Sequence, residues 1–184
     1  MCLTKSQLAQ RWQVTDLGEP SKIIGIEITR GHNTIFISQK KYIEHLLCKE
    51  GMEYANPVVT LLDHAIPILL NPNQNEDNQF NPFARVLDKL QYIANAMQLN
   101  ISFAINRLVS HTTNPSMQHY NIIKRILRYL SETKDYRIIY HKWNCSKQLI
   151  IYANAAHANA DEKKSTTGIV FLFRGGVILW KSKC

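Results

Sequence analysis

Between Val86 and Trp180 the apolar residues change their period, and this constrains the fold more than any other feature of the chain. Val86, Leu87, Leu90, Ile93, Ala94 and Met97 recur at helical spacing, and Tyr120, Ile123, Ile126, Leu127 and Leu130 do so again. From Tyr136 the runs become short and β-prone: residues 136–141, 148–152, 168–173 and 177–180. Strands so closely spaced favour antiparallel order. Helices and strands thus come in blocks rather than in alternation, which predicts the α+β class.

The helical block reads as three helices. Pro82 suits a first helical position after Asn81 as cap. Asn100 can cap a second helix through Ser110, with Phe103, Ala104 and Leu108 inward. Asn114-Pro115 starts a third, which runs to about Thr133. Ahead of this block, residues 4–12 read as a short helix with Leu3, Leu8 and Trp12 on one side, and 14–20 as a turn. Residues 22–29 and 34–38 then read as two strands joined at Gly31-His32-Asn33, a β-hairpin. Ser38 can cap a helix over 39–50, with Tyr42, Ile43, Leu46 and Leu47 as its apolar face and Gly51 at its end.

Residues 71–81, NPNQNEDNQFN, are dominated by Asn, Gln and acids, and hold one apolar residue, Phe80. Such a tract buries too little surface to order itself and marks a boundary. The expected units are residues 1–62, a polar linker 63–82, a helical region 83–134 and a sheet 135–184.

The formal net charge is +8 and the isoelectric point about 9.4. An excess of this size fits a partner made of phosphates, and equally a solvated basic surface. Lys124, Arg125 and Arg128 fall together on one face of the third helix, away from its apolar stripe. The four cysteines, Cys2, Cys48, Cys145 and Cys184, form no C-x-x-C pair and have no histidine at zinc-ligand spacing. The N-terminus lacks an apolar signal core, and no window holds enough apolar residues to cross a bilayer. The expectation is an intracellular chain, cytoplasmic or nuclear, that is not secreted and has neither a membrane partner nor a small-molecule cofactor.

Several strings are similar to copia-type retrotransposon Pol polyproteins. They are Asp16-Leu17-Gly18-Glu19, Ile24-Gly25-Ile26-Glu27-Ile28, Ile35-Phe36-Ile37-Ser38-Gln39, Lys41-Tyr42-Ile43 with Leu46-Leu47, and Lys89-Leu90-Gln91-Tyr92-Ile93-Ala94-Asn95-Ala96. Further along come Ile101-Ser102-Phe103-Ala104, Lys124-Arg125-Ile126-Leu127-Arg128-Tyr129-Leu130, Lys164-Ser165-Thr166-Thr167-Gly168 and the final Trp180-Lys181-Ser182-Lys183. The resemblance covers essentially the whole chain. It implies a hairpin plus thumb-like helix at the end of the polymerase palm, a helical connection, and the start of a ribonuclease H-like, mainly antiparallel sheet. It also implies that the first of these once gripped a primer–template.

The departures matter as much. In the family a strand ends in a metal-binding aspartate, and Asn154 occupies that position here. Hydrolysis of a phosphodiester by this chemistry uses divalent ions held by several carboxylates, and Mg²⁺ is a hard cation that prefers charged oxygens. Asparagine keeps the shape and loses the charge. No Asp-Asp pair, the polymerase signature, occurs in the sequence. Asp88 replaces a usual Gly, which raises the prospect of strain or poor packing there. Met97-Gln98-Leu99-Asn100 replaces a Thr-Arg-Pro-Asp opening, and His157 replaces an aromatic.

The resemblance therefore implies a truncated, degenerate Pol fragment with no intact catalytic or metal site and no cofactor of its own, Mg²⁺ belonging to the parent family. A second expectation is a residual module binding an RNA–DNA hybrid or DNA through Lys124, Arg125, Arg128, Lys163 and Lys164. A third is part of an active reverse transcriptase and ribonuclease H completed by flanking sequence.

Overall fold

The computed structural model describes residues 2–62, 82–142, 148–156 and 165–183. The polar tract 71–81, Cys145, His157, Asp161, Glu162, Lys163, Lys164 and Cys184 lie outside the described residues. Helix α1 (Cys2–Arg11) leads to three strands, β1 (Lys22–Ile23), β2 (Ile26–Arg30) and β3 (Thr34–Ser38), and then to α2 (Lys40–Lys49). The helical block is α3 (Pro82–Ala96), a 3₁₀ turn (Leu99–Ile101), α4 (Ser102–Val109) and α5 (Met117–Thr133). Strands β4 (Ile138–His141), β5 (Leu149–Ala156), β6 (Thr166–Phe173) and β7 (Gly176–Lys183) follow. The class is mixed helix and sheet, with two antiparallel sheets among the described residues.

The expected strand over 22–29 is broken in the middle. Ile24 and Gly25 take left-handed backbone angles, φ +48° and +80°, and turn the chain so that Ile23 pairs with Ile26. A β-branched residue is costly there, and Ile24 is 82% exposed. The turn is clamped from behind: the Tyr92 hydroxyl donates to the Ile24 carbonyl, and Tyr42 packs edge-on against Tyr92 with ring centroids 5.0 Å apart. Burial of the Tyr42 ring pushes its phenol pKa up. Three of the strings quoted above thus meet at one turn.

Helix α2 ends as Gly51 predicts. Gly51 has φ +66°, its N–H donates to the Cys48 carbonyl, and the Met52 N–H reaches back to the Leu47 carbonyl at 2.8 Å. These two bonds make a Schellman cap. At the other end the Ser38 hydroxyl accepts from the Lys40 N–H at 3.1 Å, while the N-cap position itself falls on Gln39. Helix α5 starts just beyond Pro115: Ser116 caps it, in a reciprocal box with His119.

The core lies where α2, α3, α4 and α5 meet. Ile43, Leu46, Phe83, Leu90, Ile93, Ala104, Ile105, Leu108, Ile126 and Leu130 are all buried in it. The periodicity places most of these. It also places Phe103 inward, whereas Phe103 is half-buried and Ile105 takes the inner position. Asp88 sits exposed within α3 at ordinary helical angles, so the expected strain does not arise. Lys89 and Glu50 form a half-buried ion pair at 2.8 Å that ties α3 to the end of α2.

One expected pairing is overturned. Chain order predicts residues 136–141 in the final sheet, yet β4 joins the first one, with Phe36 opposite Ile139 and Ile37 opposite Ile138. The reason is where α5 ends. Helix α5 packs on α2, and Lys40 pairs with Asp135 at 2.7 Å, which delivers the next residues to the open edge of β3. An open edge presents unpaired N–H and C=O groups that take the first extended run offered.

Strand β4 still holds the second sheet in place. The Tyr140 hydroxyl donates to the Val177 carbonyl at 2.7 Å, and the His141 N–H donates to the Arg174 carbonyl. The Tyr140 ring occupies the space above Gly176, where an added Cβ would lie 2.5 Å from it. The second sheet runs in the order β5-β6-β7.

Candidate nucleic-acid interface

Asn154 is not at a strand end. It lies within β5 opposite Gly168, and two further pairs follow it, Ala155 with Thr167 and Ala156 with Thr166. Gly168 in turn pairs with Ser182 on β7. Directly opposed residues share a sheet face, so Asn154, Gly168 and Ser182 form one row. The neighbouring row on that face is Tyr152, Val170 and Trp180.

This face looks toward the helices. The Trp180 indole donates to the Ala94 carbonyl at 2.7 Å, and the Asn106 amide donates to the Ser182 carbonyl at 2.6 Å. Leu99 and Ser102 supply the opposite wall of a groove of about 410 Å³. Its floor is open at Gly168, where a Cβ would meet nothing within 4 Å. The described lining offers an amide, hydroxyls and aromatic rings, and no carboxylate, while the Lys181 side chain, opposite Ile169, belongs to the other face of the sheet. That donor set does not fit a dication, which needs several anionic oxygens. Among the described residues no group of three His, Cys, Asp or Glu could hold a metal ion.

The basic stripe on α5 is divided by the structure. Arg125 donates from Nε to the Thr60 carbonyl at 3.2 Å and from Nη2 to the Thr60 hydroxyl at 2.7 Å. Arg128 donates from Nε to the Asn56 carbonyl, and the Val58 N–H returns a bond to the Arg128 carbonyl. Both arginines therefore strap residues 56–60 to the helix. A guanidinium has five donors, so each keeps N–H groups for another acceptor. Lys124 is exposed. Lys163 and Lys164 lie outside the described residues.

The motifs draw attention away from a charge signal in the same sequence. From Tyr136 to Cys184 there are eight Lys and Arg against two acids, Asp161 and Glu162. The described part of that stretch carries Arg137, Lys142, Arg174, Lys181 and Lys183 and no carboxylate side chain. Elsewhere the acids are largely consumed by neighbouring cations: Asp16 by Lys5, Glu19 by Arg30, Glu27 by Lys41, and Glu44 and Asp135 by Lys40. Of the five, Arg174, Lys181 and Lys183 belong to the second sheet and its turn, whereas Arg137 and Lys142 flank β4 of the first. A further groove of about 540 Å³, lined among others by Arg137, His141 and Asn100, opens between the two sheets.

No helix among the described residues is long and apolar enough to cross a membrane. No family model matches the chain, and no solved structure matches it. Among curated proteins it is 32% identical over 181 residues to the retrovirus-related Pol polyprotein from transposon RE1 of Arabidopsis thaliana, a match covering 98% of this chain and 12% of that protein. The retrovirus-related Pol polyprotein from transposon TNT 1-94 of Nicotiana tabacum is 30% identical over 187 residues, 97% of this chain and 14% of its own length. An uncharacterized mitochondrial protein of Arabidopsis thaliana is 28% identical over 180 residues, 96% of this chain and 72% of that one. Matched from end to end by Pol polyproteins of which it covers about an eighth, the chain belongs to the copia-type retrotransposon Pol family.

Proposed function

We propose that this chain is a nucleic-acid-gripping segment of a Pol polyprotein, drawn from the reverse transcriptase and ribonuclease H region, and that no hydrolysis is centred on Asn154. The carrying observation is the charge asymmetry: the described part of the second sheet, with its β6–β7 turn, holds three cations, Arg174, Lys181 and Lys183, and no carboxylate side chain. Phosphates are the natural counter-charge, and Lys181 and Lys183 stand together on one face of β7, the face opposite the row at Gly168. Aromatic residues next to that row, Tyr152 and Trp180, offer surfaces for stacking. The Ile24-Gly25 turn supports the same reading, since an exposed, strained turn held by two tyrosines is a preorganised contact. Against hydrolysis stand the neutral amide of Asn154 and the lack of any carboxylate in the described lining of its groove.

The test is binding of a labelled RNA–DNA hybrid by the full chain as salt is raised. Affinity should fall at least ~10-fold between 50 and 200 mM salt, as expected when two or more phosphates are neutralised. Replacing both Lys181 and Lys183 by Ala should flatten the logarithmic salt slope by about two. Absent or salt-insensitive binding defeats the gripping role. Asn154→Asp should leave the chain unable to cut the hybrid in Mg²⁺, because one carboxylate does not make a two-metal site. Metal-dependent cutting by the unaltered chain would overturn the rest.

A second reading is favoured by the small share of each polyprotein that the chain covers. In it the segment works inside a longer Pol protein whose other parts supply the carboxylates. Restored hybrid cleavage on joining the chain to the following region of a relative would select it.

A further inference from the structure

We infer that the groove over Gly168 is a site for one unpaired nucleobase, a neutral planar ring, and not for a phosphate. The inference rests on the nucleic-acid reading above and adds which part of the nucleic acid this groove takes. The two faces of the β5–β7 sheet differ in charge. Lys181 and Lys183 lie opposite Ile169 and Thr167, on one face. The other face, toward the helices, carries Asn154, Gly168 and Ser182 in one row and Tyr152, Val170 and Trp180 in the next. Neither of these rows holds a charged side chain. A phosphate seated here would have both lysines on the far side of the sheet, whereas a neutral ring needs no counter-charge.

The groove is built within the chain. The two strand rows make its floor, and Leu99 and Ser102, from the 3₁₀ turn and the first residue of α4, make the opposite wall. Two hydrogen bonds fix floor to helices, the Trp180 indole on the Ala94 carbonyl at 2.7 Å and the Asn106 amide on the Ser182 carbonyl at 2.6 Å. The enclosed volume is about 410 Å³. Small-molecule sites run from about 300 to 1,000 Å³. Gly168 keeps the floor open, since a Cβ there would meet nothing within 4 Å.

The lining matches the parts of a base. Tyr152 and Trp180 flank Val170 across the sheet, two strand spacings or about 10 Å apart. A flat ring laid from Val170 toward Gly168 gains an apolar floor and an aromatic side chain on either flank. Asn154 is exposed at the next position along β5 on the same face. Its amide presents an acceptor and donors side by side, the pattern that pairs with the N6 and N7 edge of adenine. The Ser182 hydroxyl beyond Gly168 can donate or accept.

Adenosine is the probe, because it carries the base without a phosphate. Calorimetric titration of the full chain should give saturable binding at a single site. Its affinity should change by less than about 2-fold between about 50 and 500 mM salt, since no phosphate contact is made. Tyr152→Ala and Asn154→Leu alter exposed side chains and should keep the circular dichroism spectrum. Each should weaken adenosine by about 5-fold or more, through a lost stacking surface and a lost base contact. Gly168→Val should fill the floor and abolish binding. Absence of adenosine binding overturns the inference, and so does binding that Tyr152→Ala and Asn154→Leu leave unchanged. Binding that falls steeply with salt overturns it as well. Hybrid titration of the same chain separates the two readings. Salt-dependent hybrid binding without adenosine binding removes this inference and leaves the gripping role. Adenosine binding without hybrid binding removes the gripping role and leaves the base site.

Discussion

In α3, Phe83, Leu90 and Ile93 are wholly buried, whereas in β5, Leu149, Ile151 and Tyr152 are more than half exposed. The exposed strand is the more apolar of the two in sequence, seven residues of eight against nine of fifteen. What separates them is how many neighbours their apolar surfaces find. Helices α2 to α5 each bring a stripe to a common centre, so every stripe is covered. Among the described residues, the β5–β7 sheet meets the helices through Trp180 and Ser182. Among the described residues of its three strands, Gly176 alone is buried. The helical block therefore carries the stability, and the second sheet carries order in its backbone ladder with its side chains still available.

The sharpest way to break this contrast is truncation on each side. Leu90→Ala should cost about 3–4 kcal/mol, the usual effect of a cavity in a closed core. Ile151→Ala should cost about 1 kcal/mol or less, since that side chain is half in water already. Urea unfolding of both variants decides it, and equal losses would mean that the sheet has a core of its own.

A smaller effect sharpens the boundary between the regions. At Gly176 a new Cβ would press on the Tyr140 ring at 2.5 Å and on the Ile139 carbonyl at 2.9 Å. Gly176→Ala should destabilise the joint between β4 and the second sheet by about 1–3 kcal/mol. Gly168→Ala meets open space at the same sheet and should fall within about 0.5 kcal/mol of the parent. Thermal melts of the two variants should diverge accordingly, and a tolerated Gly176→Ala would show that the two sheets are not locked.

The smallest effect is electrostatic and lies outside the second sheet. The hydrogen bonds from Lys5, Lys41 and Lys40 hold the carboxyls of Asp16, Glu27 and Asp135 below the usual carboxylate range. A carboxyl whose pKa is lower folded than unfolded adds stability above its ordinary pKa, near 4. That addition fades as pH falls through the folded pKa. All three pairs lie at the surface, so the loss should be slight and should shrink further in high salt. Denaturation midpoints measured from pH 6 down to acid at two salt concentrations check the sign. A rise in stability on acidification would contradict the pairing.

Much of the helical block was legible because helical burial repeats locally. Val86, Leu87, Leu90, Ile93 and Ala94 declare one face within a single segment, and all five are buried. The Gly51 terminus was legible for the same reason, since a left-handed glycine cap is a local event. The break at Ile24 was not, because nothing in a run of apolar residues announces that an isoleucine will take a positive φ. The anchoring of Arg125 and Arg128 was equally hidden. A helical wheel shows which side chains share a face and is silent about the 56–60 segment laid across it. For the candidate interface, Asn154 was visible by resemblance, whereas its row with Gly168 and Ser182 needed the strand register.

The sequence by itself determined which stretches coil and which extend, where helices stop, and that positive charge gathers after Tyr136, since all of these follow from residues near one another in the chain. Only the tertiary structure decided that β4 joins β3 rather than β5, that two arginines of α5 are tied to a loop, and that Asn154 shares a row with Gly168 and Ser182. Those outcomes depend on which distant surfaces the packed helices bring together, and strand hydrogen bonds are indifferent to sequence until a partner edge is within reach.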